Sequence, residues 1–185
     1  MNAILDEAYT LQAKRDKALC SSELIEIVGK SLENKESILY WAVRNKIPVF
    51  CPAITDGAMG DMIFFMKQRQ PKFLVDVSED MQRIVKLTLN AKKTGVIILG
   101  GGVAKHYTLN AQIFREGCDF AVYINTADEF DGSDSGARTD EAITWGKIKS
   151  SAPQVKVHGD ATIIFPLIVA GLVKDINNKP NPKKE

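Results

Sequence analysis

Between Tyr123 and Lys147 the chain reads YINTADEFDGSDSGARTDEAITWGK, and this stretch concentrates the residue types that can do chemistry. Asp128, Glu129, Asp131, Asp134, Asp140 and Glu141 crowd among Gly, Ser and Ala, with Trp145 and Lys147 close behind. Small residues let backbone approach a ligand, carboxylates attract cations, and an indole face can hold one. A neighbouring lysine can form a Schiff base once its pKa is lowered. The combination points to amine chemistry on a polycationic substrate. On composition alone, a solvated acidic loop capping an amphipathic helix is the commoner explanation.

Three further segments carry candidates. Gly100, Gly101 and Gly102 stand between an apolar run and a helical pattern, where glycines allow a tight turn and an anionic ligand near a helix N-terminus. The pattern is not GxGxxG, and many such turns are only turns. His106 follows, titrating near neutral pH and suited to proton transfer if carboxylates and an amine lie near it. His158, just after an apolar run, receives no role. Asp56 and Asp61 flank Gly57 and Gly60, a set that turn and cap chemistry explains equally well. Lys147 taken by spacing alone is an exposed lysine at a helix C-terminus.

The elements that must position these residues alternate. Short apolar runs at 47–50, 73–77, 96–99, 120–124 and 155–157 read as buried strands, separated by amphipathic stretches. The clearest of these, 78–93, has Ser78 as a cap, acidic residues first and lysines last. Met81, Ile84, Val85 and Leu89 would face the sheet. Asp160 is placed to cap a last helix, and the apolar run 162–173 reads as its buried body. Repeated strand and helix imply an α/β, Rossmann-like architecture: a largely parallel sheet with helices on both faces. Ligands in such sheets bind beyond the strands' carboxyl ends, where the four candidate loops all fall.

Residues 1–20 read as a helical arm, 21–173 as the ligand-binding domain, and 174–185, with Pro180 and Pro182, as a loose tail. The 185 residues suffice for one substantial core, with 45% hydrophobic and 25% charged residues. A net charge of +1 gives no reason to expect nucleic acid. No apolar run reads as a bilayer span, and no signal peptide is visible, so neither a membrane partner nor secretion is expected. Cys20, Cys51 and Cys118 are odd in number without CxxC spacing, which fits a reducing cytoplasm better than a disulfide framework. With two histidines, no metal site is expected.

TDGAMGDMIFF (55–65), GVIILGGGVAKH (95–106), the 123–147 segment and VKVHGDATIIFPL (155–167) resemble, in order, the motifs of the deoxyhypusine synthase family. The similarity runs from about 21 to 173 and corresponds to the C-terminal half of that family. The resemblance implies NAD as cofactor and spermidine as substrate. It places Asp56, Thr126, Ala127, Asp160 and Ala161 at NAD. Asp61, Gly101, His106, Gly132, Ser133, Asp134, Glu141 and Trp145 fall at the polyamine. TWGK matches the nucleophile motif, which makes Lys147 the catalytic lysine and His106 its proton shuttle. The implied reaction oxidises spermidine, loads its aminobutyl group on Lys147 and releases 1,3-diaminopropane. The group then passes to a lysine of the hypusine-bearing translation initiation factor and is reduced by the same cofactor.

The family's N-terminal motifs, including further NAD contacts, do not occur in this sequence. The expectation is therefore a split synthase: a companion chain completes the domain, and the family's dimer or dimer of dimers is built on it. The start at Met1 suits a separately encoded half. Two other readings stand beside this one. A homospermidine synthase-like enzyme would use a small amine as acceptor. A non-catalytic regulatory subunit would have no need of its nucleophile.

Overall fold

The computed structural model describes residues 2–178 and divides into two units, 1–87 and 88–185. In the first, α1 (Asn2–Arg15) is followed by β1 (Leu19–Cys20), α2 (Ser21–Lys30), α3 (Ile38–Arg44), α4 (Ala58–Arg69) and β2 (Val75–Asp76). The first twenty residues are not an arm. Leu5, Ala8 and Leu19 are fully buried in one cluster with Leu24, Ile27, Ile54, Ile63, Met66 and Phe73. Burial of each large side chain contributes about 1.5–3 kcal/mol.

Polar side chains fix this unit's register. The Gln12 amide donates to the Lys72 carbonyl at 2.7 Å and accepts from the Leu74 N–H at 2.9 Å. That brings 72–74 alongside α1, just before β2 pairs in parallel with β1. Asp80, in the first turn of α5 (Val77–Asn90), is buried beneath the start of α2. It accepts from the Ser21 hydroxyl, from the Ser22 N–H at 2.7 Å and from the Ser22 hydroxyl at 2.6 Å. A carboxylate there satisfies donors that a helix start leaves open.

Four expectations fail between 47 and 90. Residues 47–50 form no strand, because Pro48 lacks a ladder donor and Pro52 follows closely. At 73–77 only Val75–Asp76 is strand. The cap of α5 is Asp76, whose carboxylate accepts from the Ser78 and Glu79 N–H groups at 2.8 and 3.3 Å, rather than Ser78. Asp80 and Thr88 are the buried positions of α5, while Leu89 is exposed.

In the second unit β3 (Gly95–Leu99), α6 (Gly102–Ile113), β4 (Phe120–Asn125), α7 (Thr139–Thr144), β5 (Gln154–His158) and α8 (Ala161–Asn178) build a parallel sheet in the order β3-β4-β5. All three strands fall where the apolar runs predict them. Val96 lies opposite Ala121 and Ile98 opposite Tyr123. These four pack with Leu109 of α6, Ala142 of α7, Cys118, Ile148 and Ala152 into one core. Alternation puts Ile97, Leu99, Phe120, Ile124 and Val155 on the other face.

On that face α8 packs against β4, where Ile124 is fully buried. No side chain of α8 is fully buried: Ala161, Ile164, Phe165 and Ile168 are half-buried and the rest exposed, so the expected buried body of this helix is only partly covered. Its length and composition also meet the minimum for a membrane span, contrary to the sequence expectation, although Pro166, Lys174 and Asp175 interrupt it. It is helical through Asn178, so the loose tail expected from 174 does not begin there; 179–185 lie outside the described residues.

Candidate active site

Three candidate loops leave the carboxyl ends of β3, β4 and β5, and one buried amide knits two of them together. Asn125, the last residue of β4, donates to the Gly100 carbonyl at 3.4 Å and to the Ser135 carbonyl at 3.1 Å. The Gly100 N–H donates to Ile124 O and the Gly159 N–H to Asn125 O, at 2.8 and 2.9 Å. Nothing in the sequence singled out Asn125; only the strand register puts it between the loops.

The middle of the glycine turn is packed against, while the space over Gly100 and Gly102 is open. A Cβ on Gly101 would lie 2.3 Å from the Ser135 hydroxyl, and the Gly102 N–H already donates to that hydroxyl at 2.8 Å. Gly101 is glycine because the acidic loop packs on it.

Two lysines hold the acidic loop by its backbone. Lys105, 3% exposed on α6, donates to the carbonyls of Asp134 and Ala137 and lies 4.9 Å over the Tyr123 ring. Lys156 of β5 donates to the Gly136 carbonyl. Burial pushes the Lys105 ammonium below its ordinary range, against the opposing pull of Asp134 and Glu141. The sequence analysis passed over Lys105 in favour of His106. One residue turns a helix by about 100°, so Lys105 points inward. His106 is exposed, its Nδ1 3.0 Å from the Asn110 amide.

Holding the loop by carbonyls leaves part of its acidity free. Asp128 and Asp131 serve locally, capping the short 3-10 turn Glu129–Asp131. Gly132 closes that turn at φ 66°, in the left-handed region glycine favours. The Ser133 hydroxyl accepts from the Gly136 N–H at 3.3 Å. Asp134 is different, for its Oδ2 is buried without a hydrogen-bond partner.

Lys147 lies beside it. It is 7% exposed, anchored through its N–H to Ala142 O at 2.8 Å and through its carbonyl to the Cys118 N–H at 3.0 Å. A lysine after a short helix reads as exposed, but the left-handed turn at Gly146 (φ 68°) turns this one into the core. Lys147, Lys105, Tyr123, Asp134 and Glu141 line one small cavity of about 10 Å³. That is roughly the room of one water, enough for an amine terminus and not for a whole polyamine. Trp145, 64% exposed, stands at the end of α7.

A second, wider cleft of about 600 Å³ opens along β5 and the start of the acidic loop, lined among others by Ala127, Phe130, Lys156 and His158. Thr126 and Ala127 follow β4, while Asp160 and Ala161 follow β5, on adjacent loops. The Asp160 Oδ1 accepts from the Thr162 N–H and hydroxyl at 2.8 and 2.6 Å, which holds its carboxyl below the usual range. It is therefore an acceptor, suited to a ribose hydroxyl. With an acceptor at Asp160, these residues fit the ribose part of a dinucleotide.

Asp56 and Asp61 belong to the first unit. Both are exposed, in the turn before α4 and in its first turn. Gly57 adopts φ 104°, and a Cβ on Gly60 would lie 2.0 Å from the Thr55 carbonyl, so both glycines are required locally. Cys20, Cys51 and Cys118 are free thiols; burial pushes Cys20 up to about 11 and raises Cys118 as well. Among the described residues no group of His, Cys, Asp or Glu could hold a metal ion.

Comparison with known proteins follows the same pattern. The family model for deoxyhypusine synthase matches residues 1–172. The deoxyhypusine synthase of Senecio vernalis is 53% identical over 169 residues, which are 90% of this chain and 46% of that protein. That of Caenorhabditis elegans is 51% identical over 168 residues, 90% of this chain and 45% of the relative. A crystal structure assigned to deoxyhypusine synthase from Entamoeba histolytica superposes with a TM-score of 0.63 at 34% identity, covering 91% of this chain and 51% of that one. The chain thus spans about half the length of the relatives it matches.

Proposed function

Because the chain belongs to the deoxyhypusine synthase family, we propose that it is the nucleophile-bearing half of a split synthase. In this reading it transfers the aminobutyl group of spermidine to a lysine of the hypusine-bearing translation initiation factor. The observation that carries this reading is Lys147, a buried lysine that lines one small cavity with Asp134, whose Oδ2 has no hydrogen-bond partner.

Thr126, Ala127, Asp160 and Ala161 would hold NAD, which would supply the hydride acceptor for oxidation of the substrate amine. The chain's own residues do the rest. Asp134 and Glu141 hold the cationic end of the polyamine against the cavity, with Gly132, Ser133 and the Trp145 face along its length. The Lys147 Nζ adds to the oxidised substrate's imine carbon, and the departing nitrogen leaves with a proton as 1,3-diaminopropane. The aminobutylidene group stays on Nζ as a Schiff base. Lys105 keeps the loop carbonyls in place during this exchange. His106, open to the surroundings beside Asn110, is placed to pass protons to or from an arriving acceptor.

In this reading a companion chain supplies the remaining dinucleotide contacts. The reading also carries a cytoplasmic setting and the family's oligomer.

Radiolabelled spermidine, NAD and borohydride trapping test the proposal, with this chain alone and with the companion segment. Label should appear on Lys147, and Lys147→Ala should abolish it. Undiminished labelling of that variant ends the reading. Parallel reactions with the translation factor and with putrescine decide between protein and small-amine acceptors.

A further inference from the structure

Lys147 does not hold its own place. Its side chain lines the cavity, but the backbone that carries it is fastened from behind by residues that do not line the cavity. Cys118, in the turn between α6 and β4, lies opposite Ile148 in a parallel bridge, and both are buried. The Cys118 N–H donates to the Lys147 carbonyl at 3.0 Å, and the Lys149 N–H donates to the Cys118 carbonyl at 3.1 Å. Gly117 lets the two backbones meet: it adopts φ 99°, and a Cβ there would lie 2.6 Å from the Lys149 nitrogen. On the near side the segment has only the Ala142 carbonyl, which accepts from the Lys147 and Ile148 N–H groups at 2.8 and 3.3 Å. That carbonyl belongs to α7, a helix of six residues and too short to be rigid by itself.

An ion network closes the bridge on its outer side. The Asp119 Oδ1 accepts from the Lys149 Nζ at 2.7 Å, and its Oδ2 from an Arg115 nitrogen at 2.9 Å. Oδ2 also accepts from the Thr94 N–H at 2.9 Å, while the Asp119 N–H donates to the Thr94 carbonyl at 2.8 Å. The largely buried Arg115 donates in addition to the Thr94 hydroxyl and the Gly117 carbonyl, at 2.6 and 3.2 Å. An ion pair standing free in solvent contributes little. This carboxylate is shielded and shared with a backbone donor, so it fixes a geometry. It ties the segment bearing Lys147 to the residue before β3 and to the turn after α6.

We propose that Asp119 and Lys149, with Arg115 behind them, are positioning residues for Lys147. Their ion pair fixes the backbone at 147–149 and thereby the reach of the Lys147 amine into the cavity it shares with Asp134 and Glu141. That Lys147 is a nucleophile rests on the proposed function; the clamp on its backbone does not. A flexible four-carbon stem places its amine only as well as its root is held. Misplacement of a reacting group by about 1 Å can cost about a hundredfold in rate.

The test uses the full chain with Lys149→Met, which removes the charge and keeps a stem, and Lys149→Arg, which keeps the charge. Asp119→Asn is a second disruption from the other side of the pair. In the chain alone, amide exchange at 118 and 149 should accelerate by roughly tenfold in Lys149→Met, with 121–124 unchanged. Acetylation by sulfosuccinimidyl acetate, mapped by peptide mass spectrometry, should rise several-fold at Lys147 against Lys105, the other lysine of the cavity. Lys149→Arg should match the unsubstituted chain in both. With the companion segment, spermidine and NAD, Lys149→Met should lower kcat for release of 1,3-diaminopropane by roughly tenfold or more at constant KM for spermidine. Lys149→Arg should restore it. The inference is overturned if exchange and acetylation are unchanged in Lys149→Met, or if Lys105 and 121–124 respond as strongly as Lys147, which is general loosening. A raised KM at constant kcat overturns it too. If the unsubstituted chain never loads while Lys149→Met still frees 118 and Lys147, the proposed chemistry falls and the clamp stands. Loading that ignores both disruptions ends the clamp and keeps the chemistry.

Discussion

Lys105 and Lys147 are two buried lysines in one cavity with different work. Lys147 carries no hydrogen-bonded carbonyl on its amine among the contacts of the cavity, while the Lys105 ammonium is committed to Asp134 O and Ala137 O. Replacing Lys105 by Met keeps the volume but leaves two carbonyls without their donor, at a cost of about 1–3 kcal/mol each if they stay buried. Amide exchange at Gly136 and Ala137 should then accelerate by at least roughly tenfold, with the rest of the sheet unaffected; unchanged protection would show the loop to be held by Asn125 and Lys156 alone. The Asp119 carboxylate makes a pH-dependent contribution. Lys149, the Thr94 N–H and Arg115 hold its carboxyl well below the usual range. Its folded pKa lies under the unfolded value of about 3.9, so its stabilisation is complete at neutral pH and lost as pH falls through the folded value. Asp119→Asn should be less stable than wild type in urea at pH 7, and the gap should close in strong acid. A gap that persists there would assign the effect to packing instead.

At the level of elements, α1 and the sheet make opposite demands. A detachable arm would tolerate truncation of its apolar side chains, whereas Leu5 sits in the first unit's core. Leu5→Ala should cost about 2–5 kcal/mol in chemical denaturation, and a change under about 0.5 kcal/mol would restore the arm. The positions of the strands followed from β-branched runs between turn residues, and β3, β4 and β5 lie where those runs are. The run at 47–50 has the same apolar character but carries a proline, and a ladder needs donors as well as hydrophobicity. The amphipathic reading of α5 found the helix but not its cap: Asp76, Ser78 and Asp80 are all plausible in sequence, and only the direction of each side chain selects among them.

For the whole molecule, the exposed sheet face and α8 make a chain that should not behave as a well-covered monomer. Alone it should bind a hydrophobic dye such as ANS strongly and self-associate as concentration rises. Its companion segment should suppress both effects, as followed by fluorescence and light scattering. Weak dye binding by the isolated chain would mean that the bare face closes on itself in solution.

The sequence by itself determined the α/β class, the family and the order of the candidate loops, and it singled out Lys147 as a candidate, because motif residues and strand periodicity are local properties of the chain. It could not show that Lys105 rather than His106 faces that lysine, since adjacent helical residues differ only in the direction that packing assigns them. Nor could it show that Gly101 is filled by Ser135, or that Asn125 binds two loops, because each depends on residues brought together across strands. The exposure of α8 was misread for the same reason: an apolar helix looks buried in sequence, and whether it is buried depends on whether anything is there to cover it.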